Sequence, residues 1–126
     1  MGLDMYARST TLEIKEWVDF DVPEREDELE VHYWRKHPNL HGWMEELYRA
    51  RGGKDQDFNC VNVRLTYGDL ASLETDIRSG GLPDTQGFFF GQSRGTEEEK
   101  QDDLAFIEKA KSALLAGRTV FYRAWW

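Results

Sequence analysis

The chain has 126 residues, of which 24 are acidic and 16 are basic, so its formal net charge is -8. Aromatic residues make up 13% of the sequence, which excludes an intrinsically disordered chain because such chains are poor in aromatics. The length predicts one domain with one core. The acidic balance argues against a nucleic-acid partner, since generic nucleic-acid binding requires a basic face.

The sequence carries neither a membrane span nor a cysteine framework. No uncharged stretch approaches the roughly 18 residues that a span needs, and the first residues lack the apolar run of a signal peptide. We therefore expect a cytoplasmic protein with no membrane partner. Cys60 is the single cysteine, which excludes an internal disulfide and disfavours a Cys-based zinc site. Because no catalytic context surrounds it, Cys60 is expected in the core.

Two strands are predicted in the first third of the chain. Residues 3–8 are typical of a short strand, and residues 29–33 alternate apolar and polar side chains as a half-buried strand does. The acidic run 19–30 predicts a loop, with mimicry of a nucleic-acid backbone or a cation site as the alternatives.

A helix is predicted from Pro38, because a proline at the first helical position sacrifices no hydrogen bond. Spacings of three and four residues predict an apolar helix face made of Leu40, Trp43, Met44, Leu47 and Tyr48. Gly52 and Gly53 would end this helix. The alternative is a longer helix that begins near Glu28 and is kinked at Pro38.

The second half predicts two more helices and up to three more strands. Residues 58–65 and 86–90 have strand character, and Thr66 is a suitable N-cap for a helix that ends at Gly80 and Gly81. Thr96, with Glu99 three residues on, has the capping-box pattern of a last helix, which Gly117 would end. Residues 119–126 predict the final strand. We therefore expect a single α+β domain, in which about three helices pack on one face of a four- to five-stranded, mostly antiparallel sheet.

The sequence ends in two tryptophans, Trp125 and Trp126. Terminal residues are poorly ordered unless they are held by other parts of the protein. The two rings are therefore expected to dock on the chain's own sheet or on a partner. An exposed remainder would favour a homo-oligomer.

Chemistry-bearing residues concentrate between Tyr33 and Trp43, where two tryptophans, two cationic side chains and two histidines lie within 11 residues. Aromatic rings offer stacking surfaces, and Arg or Lys pairs with phosphate or carboxylate. These residues suit an anionic or nucleotide-like ligand. The alternative is a strand-to-helix corner whose tryptophans fill the core. Asp4, in an apolar strand, needs a partner, for which Arg35, Arg64 and Arg123 are the candidates.

The sequence supports a metal site, a cofactor site or a phosphate-binding loop less well than this anionic-ligand site. His37 and His41 would share a helix face, but no third ligand stands at metal-ligand spacing, so neither a metal nor a cofactor is predicted. Residues 91–96 precede a helix, where backbone N–H groups can hold phosphate. Three glutamates on the following turn would repel an anion, so a capped turn is expected there.

Three motifs together resemble one family. They are Met-Gly-Leu-Asp-Met-Tyr at the start, Tyr33-Trp34-Arg35-Lys36 with His41 and Trp43, and Thr85-Gln86-Gly87 before the Phe run. The chain resembles, from end to end, a group of small phage and bacterial proteins of unassigned activity. Some members carry a phosphoglycerate kinase label, but this chain is far too short for that enzyme. It departs from the pattern at residues 37–39, where members have Ala-Asn, and in lacking a Ser after Gln86.

The resemblance implies a shared fold and a phage origin, hence the cytoplasm of a host cell, but no mechanism. Its motifs include Arg35, Lys36, His41 and Gln86, which core packing alone would not require. The predicted ligand-binding site accordingly consists of Trp34, Arg35, Lys36, Asn39, His41 and Gln86.

Three functions remain open at this point. The first is a non-catalytic phage accessory protein that binds a host protein or an anionic, nucleotide-like small molecule, with a counter-defence role. The second is a small hydrolase of nucleotide-like substrates, with His41 as the general acid or base because its pKa ordinarily lies near neutrality. The third is a protein–protein interaction module that acts through its acidic surface.

Overall fold

The computed structural model describes residues 2–23, 28–87 and 90–126. Its strands are β1 (Asp4–Thr10), β2 (Leu29–Arg35), β3 (Asn62–Leu65) and β4 (Thr119–Trp125), and its helices are α1 (Pro38–Ala50), α2 (Tyr67–Ser79) and α3 (Glu97–Leu115). The four strands form one antiparallel sheet in the order β2-β1-β4-β3. The predicted fold class is confirmed: three helices and a four-stranded antiparallel sheet form a small α+β domain.

The helices cover one face of this sheet, here called the inner face. Strand side chains such as Met5, Trp34 and Tyr122 form a single apolar core with side chains from all three helices. Met44, Leu73 and Ile107 represent α1, α2 and α3 in that core. This arrangement follows from strand alternation, which sends every second side chain to the helices and leaves the intervening ones for the other face.

The opposite face, here called the outer face, is covered only in part. Ile14 and Phe20, from the segment that follows β1, pack with Phe121 of β4 in a second, smaller cluster. A backbone bridge between Val18 and Val63 then places the same segment beside β3, at the edge of the sheet. The outer face of β2, and the parts of β1 and β4 nearest the end of β2, carry the exposed side chains described below.

Two predicted elements need correction. Residues 58–65 form a strand only over β3, because Phe58 and Cys60 both have left-handed backbone, with φ of +50° and +60°. This conformation is incompatible with an extended strand. It also leaves Cys60 exposed rather than in the core. The alternative of a helix from Glu28 is wrong, since residues 29–35 are strand.

The predicted strand over residues 86–90 falls partly on Phe88 and Phe89, which lie outside the described residues. Gln86, Gly87 and Phe90 are not in a strand. Residues 24–27 of the acidic run also lie outside the described ranges. Among the described residues, no helix is long and apolar enough to cross a membrane.

The terminal tryptophans separate. Trp126 packs edge-on against Phe90, with ring centroids 4.9 Å apart, and its backbone bonds to Asn59. Trp125 lies at the end of β4 and is 67% exposed. The predicted docking on the chain's own fold is therefore confirmed for Trp126 alone.

Helix α2 offers a direct test of the local sequence signals. The hydroxyl of Thr66 accepts a hydrogen bond from the backbone N–H of Asp69, and the Asp69 carboxylate accepts one from the N–H of Thr66. We expect Thr66→Ala to lower the free energy of unfolding by about 1 kcal/mol, the usual contribution of an N-cap. The exposed Thr75→Ala, in the middle of the same helix, is the matched control. Urea denaturation of both variants measures the effect, and equal losses would contradict the capping role.

Candidate functional site

The six predicted site residues do not converge on one place. Trp34 is 5% exposed and packs against Phe106 of α3, with ring centroids 4.7 Å apart. Trp43 is also buried, and its indole N–H bonds to Asp76. Both tryptophans are therefore core residues, which is the alternative that the sequence left open for this corner.

His41 lies inside the core on α1. Its side chain is fully buried, its ring stacks on Phe58, and its Nδ1 is 2.7 Å from the hydroxyl oxygen of Tyr122. Burial lowers the pKa of His41 from 6.5 to about 4, and burial likewise raises the pKa of Tyr122 well above its usual range. The imidazole is therefore neutral at pH 7. The ring is 0% exposed and its Nδ1 faces the Tyr122 hydroxyl, so its position does not suit the general acid or base of the hydrolase hypothesis.

Arg35 and Lys36 stand at the end of β2, where the chain turns toward α1. The Arg35 guanidinium is 52% exposed on the outer face and lies 3.4 Å from the carboxylate of Asp4. Arg35 is thus the one of the three candidate arginines that pairs with Asp4. Lys36 has left-handed backbone, with φ of +55°, and is exposed.

Asn39 and Gln86 line a common cavity of about 350 Å³, whose other walls are Asp84, Thr85, Gly87, Gly91, Gln92 and Ser93. The Asn39 side-chain oxygen accepts a hydrogen bond from the backbone N–H of Thr85, which fixes one wall. Nearly every side chain around this cavity is an amide, a hydroxyl or a carboxylate. The structure therefore brings Asn39 and Gln86 together here. It brings Trp34, Arg35 and Lys36 together in a second cavity of about 430 Å³ at the end of β2, which His37 also lines.

Ser93 connects this polar cavity to a buried chain of hydrogen bonds. Its Oγ lies 2.7 Å from Nδ1 of His37, and Nε2 of His37 lies 2.9 Å from Asp103 of α3. The other carboxylate oxygen of Asp103 accepts the indole N–H of Trp34 at 3.1 Å. His37 and Asp103 are 3% and 2% exposed. This Ser93–His37–Asp103 chain draws its three members from three separate parts of the sequence.

A second concentration of functional side chains lies on the outer face. We call it the aromatic–basic face; it consists of Tyr6, Arg8, Tyr33, Arg35, Arg123 and Trp125. Strand pairing sets five of these residues in two parallel rows. One row runs Tyr33, Tyr6 and Arg123 across β2, β1 and β4, and the next runs Arg35, Asp4 and Trp125.

Neighbouring side chains of the outer face hold the rings of the aromatic–basic face in position. Tyr6 and Tyr33 are in contact, with centroids 5.1 Å apart, and Arg8 lies over the Tyr6 ring at 4.9 Å. The hydroxyl of Tyr33 donates to Asp4 at 2.6 Å, and that hydrogen bond raises the pKa of Tyr33. The phenol therefore stays uncharged at neutral pH, and its ring adds no negative charge to the face.

Sequence reasoning missed most of both sites for different reasons. Alternation along each strand shows that Tyr6, Arg123 and Trp125 lie on the outer face. Their proximity to Tyr33 and Arg35 follows only from the pairing register of the strands, which the sequence does not give. The Ser93–His37–Asp103 chain had no local signal, because Ser93 and His37 are 56 positions apart. In the sequence His37 stands out only as a member of the segment from Tyr33 to Trp43 and as a candidate metal ligand.

Neither a metal arrangement nor a comparison with known proteins adds to this picture. Within residues 2–23, 28–87 and 90–126, no group of three or more His, Cys, Asp or Glu side chains could hold a metal ion. Comparisons with family models, with curated proteins and with solved structures find no match to this chain.

The buried His41 predicts a dependence of stability on pH. The native state keeps this imidazole neutral down to about pH 4, whereas the unfolded chain protonates it below about 6.5, so acid favours unfolding. Between pH 7 and pH 5 this residue should cost about 2 kcal/mol of unfolding free energy. Urea titrations at both pH values should show that much less acid sensitivity in His41→Gln than in the parent. Parallel acid losses in the two proteins would contradict the assignment.

Proposed function

We propose that the protein binds an anionic, nucleotide-like small molecule on its aromatic–basic face and leaves it chemically unchanged. The observation that carries this proposal is that aromatic rings and guanidinium groups are exposed together on this face. Tyr33, Trp125 and Arg35 are all solvent-accessible on this face, at 41%, 67% and 52%. A protein without a partner for these groups would have little reason to keep two large rings in water.

The aromatic side chains supply stacking surfaces. Flat rings on an open sheet accept a heterocyclic base without reading its edges, and stacking is worth about 1–3 kcal/mol per base. Tyr33 is rigidly placed by its hydroxyl bond to Asp4 and by its contact with Tyr6. Trp125 offers the larger and more exposed surface on β4.

The cationic side chains supply the pairing groups for phosphate. Arg35 has a single, long bond to Asp4, which leaves most of its five N–H donors available. The Arg123 side chain makes no hydrogen bond or ion pair with the described residues, while its backbone is paired within the sheet. A chain of net charge -8 that collects arginines on one face concentrates its attraction for anions there.

The distance along one row fits a mononucleotide or a cyclic dinucleotide better than a long nucleic-acid strand. Neighbouring strands lie about 4.8 Å apart, so Arg35 and Trp125, with Asp4 between them, are separated by roughly 10 Å. A base on one ring and a phosphate on one guanidinium cover about that distance. The acidic remainder of the surface would repel an extended polyanion.

The resemblance to small phage proteins gives this proposal a biological setting. A phage accessory protein in the host cytoplasm that sequesters a nucleotide signal would act in counter-defence. A host protein is the other ligand class for the same face. Its binding would be recognised in the experiment below by a response to host extract but to no nucleotide.

Binding is tested by thermal shift and calorimetry with a panel of mononucleotides and cyclic dinucleotides, followed by mass spectrometry of the recovered ligand. A ligand at 100 times its dissociation constant should add about 2.7 kcal/mol of stability. Arg35→Gln should weaken binding by roughly 10- to 100-fold, since a charge-assisted hydrogen bond contributes about 1.5–3 kcal/mol. Tyr33→Ala should also weaken it through lost stacking.

Arg78→Gln is the matched control, because Arg78 is exposed on α2 and pairs only with Glu74 among the described side chains. It should bind as the parent does. The proposal fails if Arg35→Gln and Tyr33→Ala bind normally, or if the control loses affinity to the same extent. Recovery of a chemically altered ligand would also contradict it.

A further inference from the structure

On the helix side of the sheet, the structure assigns a second activity that is independent of the proposed function. We propose that Ser93 is a nucleophile that takes an acyl group from a small polar ester, with His37 as its general base and Asp103 as the residue that positions His37. The carrying observation is the continuous Ser93–His37–Asp103 chain, which opens into a polar cavity at Ser93.

With Asp103 ionised and His37 neutral, each hydrogen bond of the chain has one possible direction. The Asp103 carboxylate already accepts the indole N–H of Trp34, and an ionised carboxylate has no proton to donate. Nε2 of His37, 2.9 Å away, must therefore be the donor of that bond. In the neutral ring Nδ1 is then the acceptor.

The position of the Ser93 hydroxyl proton is assigned in the same way. Its oxygen accepts the backbone N–H of Asn39 at 3.0 Å, near the start of α1. Its own hydrogen is consequently directed at Nδ1 of His37, 2.7 Å away. A hydroxyl hydrogen-bonded to a neutral imidazole, which is in turn held by a carboxylate, is the arrangement that activates a serine for acyl transfer. The ring is reversed relative to the usual serine hydrolase, in which Nε2 faces the serine.

The Ser93–His37 bond satisfies a buried ring nitrogen, and the direction of its proton decides whether it also serves chemistry. To complete the N-terminus of α1, the Ser93 oxygen needs only to accept a hydrogen bond from Asn39. The proton directed at His37 is additional. Glu99, whose carboxylate lies 3.8 Å from Nδ1 of His37, would further stabilise the imidazolium that forms when His37 takes this proton.

The polar cavity determines the class of substrate. Ser93 lines it together with Asn39, Thr85, Gln86, Gly91 and Gln92, and its volume is about 350 Å³. Amide and hydroxyl groups on the walls suit a small, polar acyl group rather than a fatty chain. Of the three residues, the half-buried Ser93 lines this cavity. His37 and Asp103 lie behind it and line a neighbouring cavity of about 330 Å³, which Asn39 also lines.

The reaction balances within these groups. As Ser93 Oγ forms a bond to the acyl carbon, its proton moves to Nδ1 of His37. The ester C–O bond then breaks, and the alcohol leaves with the proton from His37. Water, deprotonated by the same nitrogen, attacks the acyl-serine and releases the acid, while the proton returns to Ser93.

The test is labelling of the full-length protein with a fluorophosphonate, followed by intact and peptide mass spectrometry. Serine oxygen forms a bond to phosphorus, fluoride leaves, and the hydroxyl proton passes through His37 to solvent. We expect one adduct, on Ser93. Asp103→Asn should slow labelling by about 100-fold, the lower end of what a positioned base contributes. p-Nitrophenyl acetate hydrolysis should fall in parallel.

Controls separate chemistry from folding. Ser93→Asn keeps an acceptor for the Asn39 N–H but removes the nucleophile, so it should melt near the parent and take no label. The exposed Ser112→Ala on α3 should label normally. Absence of any adduct under conditions that label a known serine hydrolase would overturn the proposal. An adduct that persists in folded Ser93→Asn would overturn it equally. Neither result bears on the proposed binding of nucleotides at the aromatic–basic face.

Discussion

The buried carboxylate of Asp103 is the constraint that orders this structure. A carboxylate that is 2% exposed must be compensated by hydrogen-bond donors, because an unpaired buried charge is strongly destabilising. Trp34 supplies one donor from β2 and His37 supplies the other from the entry to α1. One side chain of α3 therefore fixes the sheet edge and the first helix together. It also explains why Trp34, which the sequence offered as a stacking surface for a ligand, faces inward.

The same strand serves the two sides of the molecule by alternation. Trp34 points to the helices, while Tyr33 and Arg35 on either side of it point outward. A cluster that is continuous in sequence is thus divided between a core and an open face. Lys36, with its left-handed backbone, then turns the chain toward His37. Adjacent residues contribute to separate chemistry because side chains on a strand repeat every two residues.

What the sequence could predict depends on the distance over which each signal acts. Thr66 and Pro38 act on the turn that they begin, so helix starts and the α+β class followed from the sequence. Cys60 was misjudged because left-handed backbone at a non-glycine residue is set by the surrounding fold. Asn39 and Gln86 were predicted together and do share a cavity. The bonds from Ser93 to His37 and from Trp34 to Asp103 span 56 and 69 positions, and no local pattern encodes such pairs.

The two proposed activities use opposite faces of one sheet, and each face supplies the environment that its activity requires. The aromatic–basic face needs exposure, because stacking and ion pairing require a ligand to approach an open surface. The Ser93–His37–Asp103 chain needs burial, because a fixed imidazole depends on partners that water cannot replace. A four-stranded sheet with helices on one side provides both environments within 126 residues. Tyr33 and Arg35 share no hydrogen-bond partner with Ser93 or His37, yet Tyr33, Arg35 and His37 line one cavity at the end of β2, where the two environments meet.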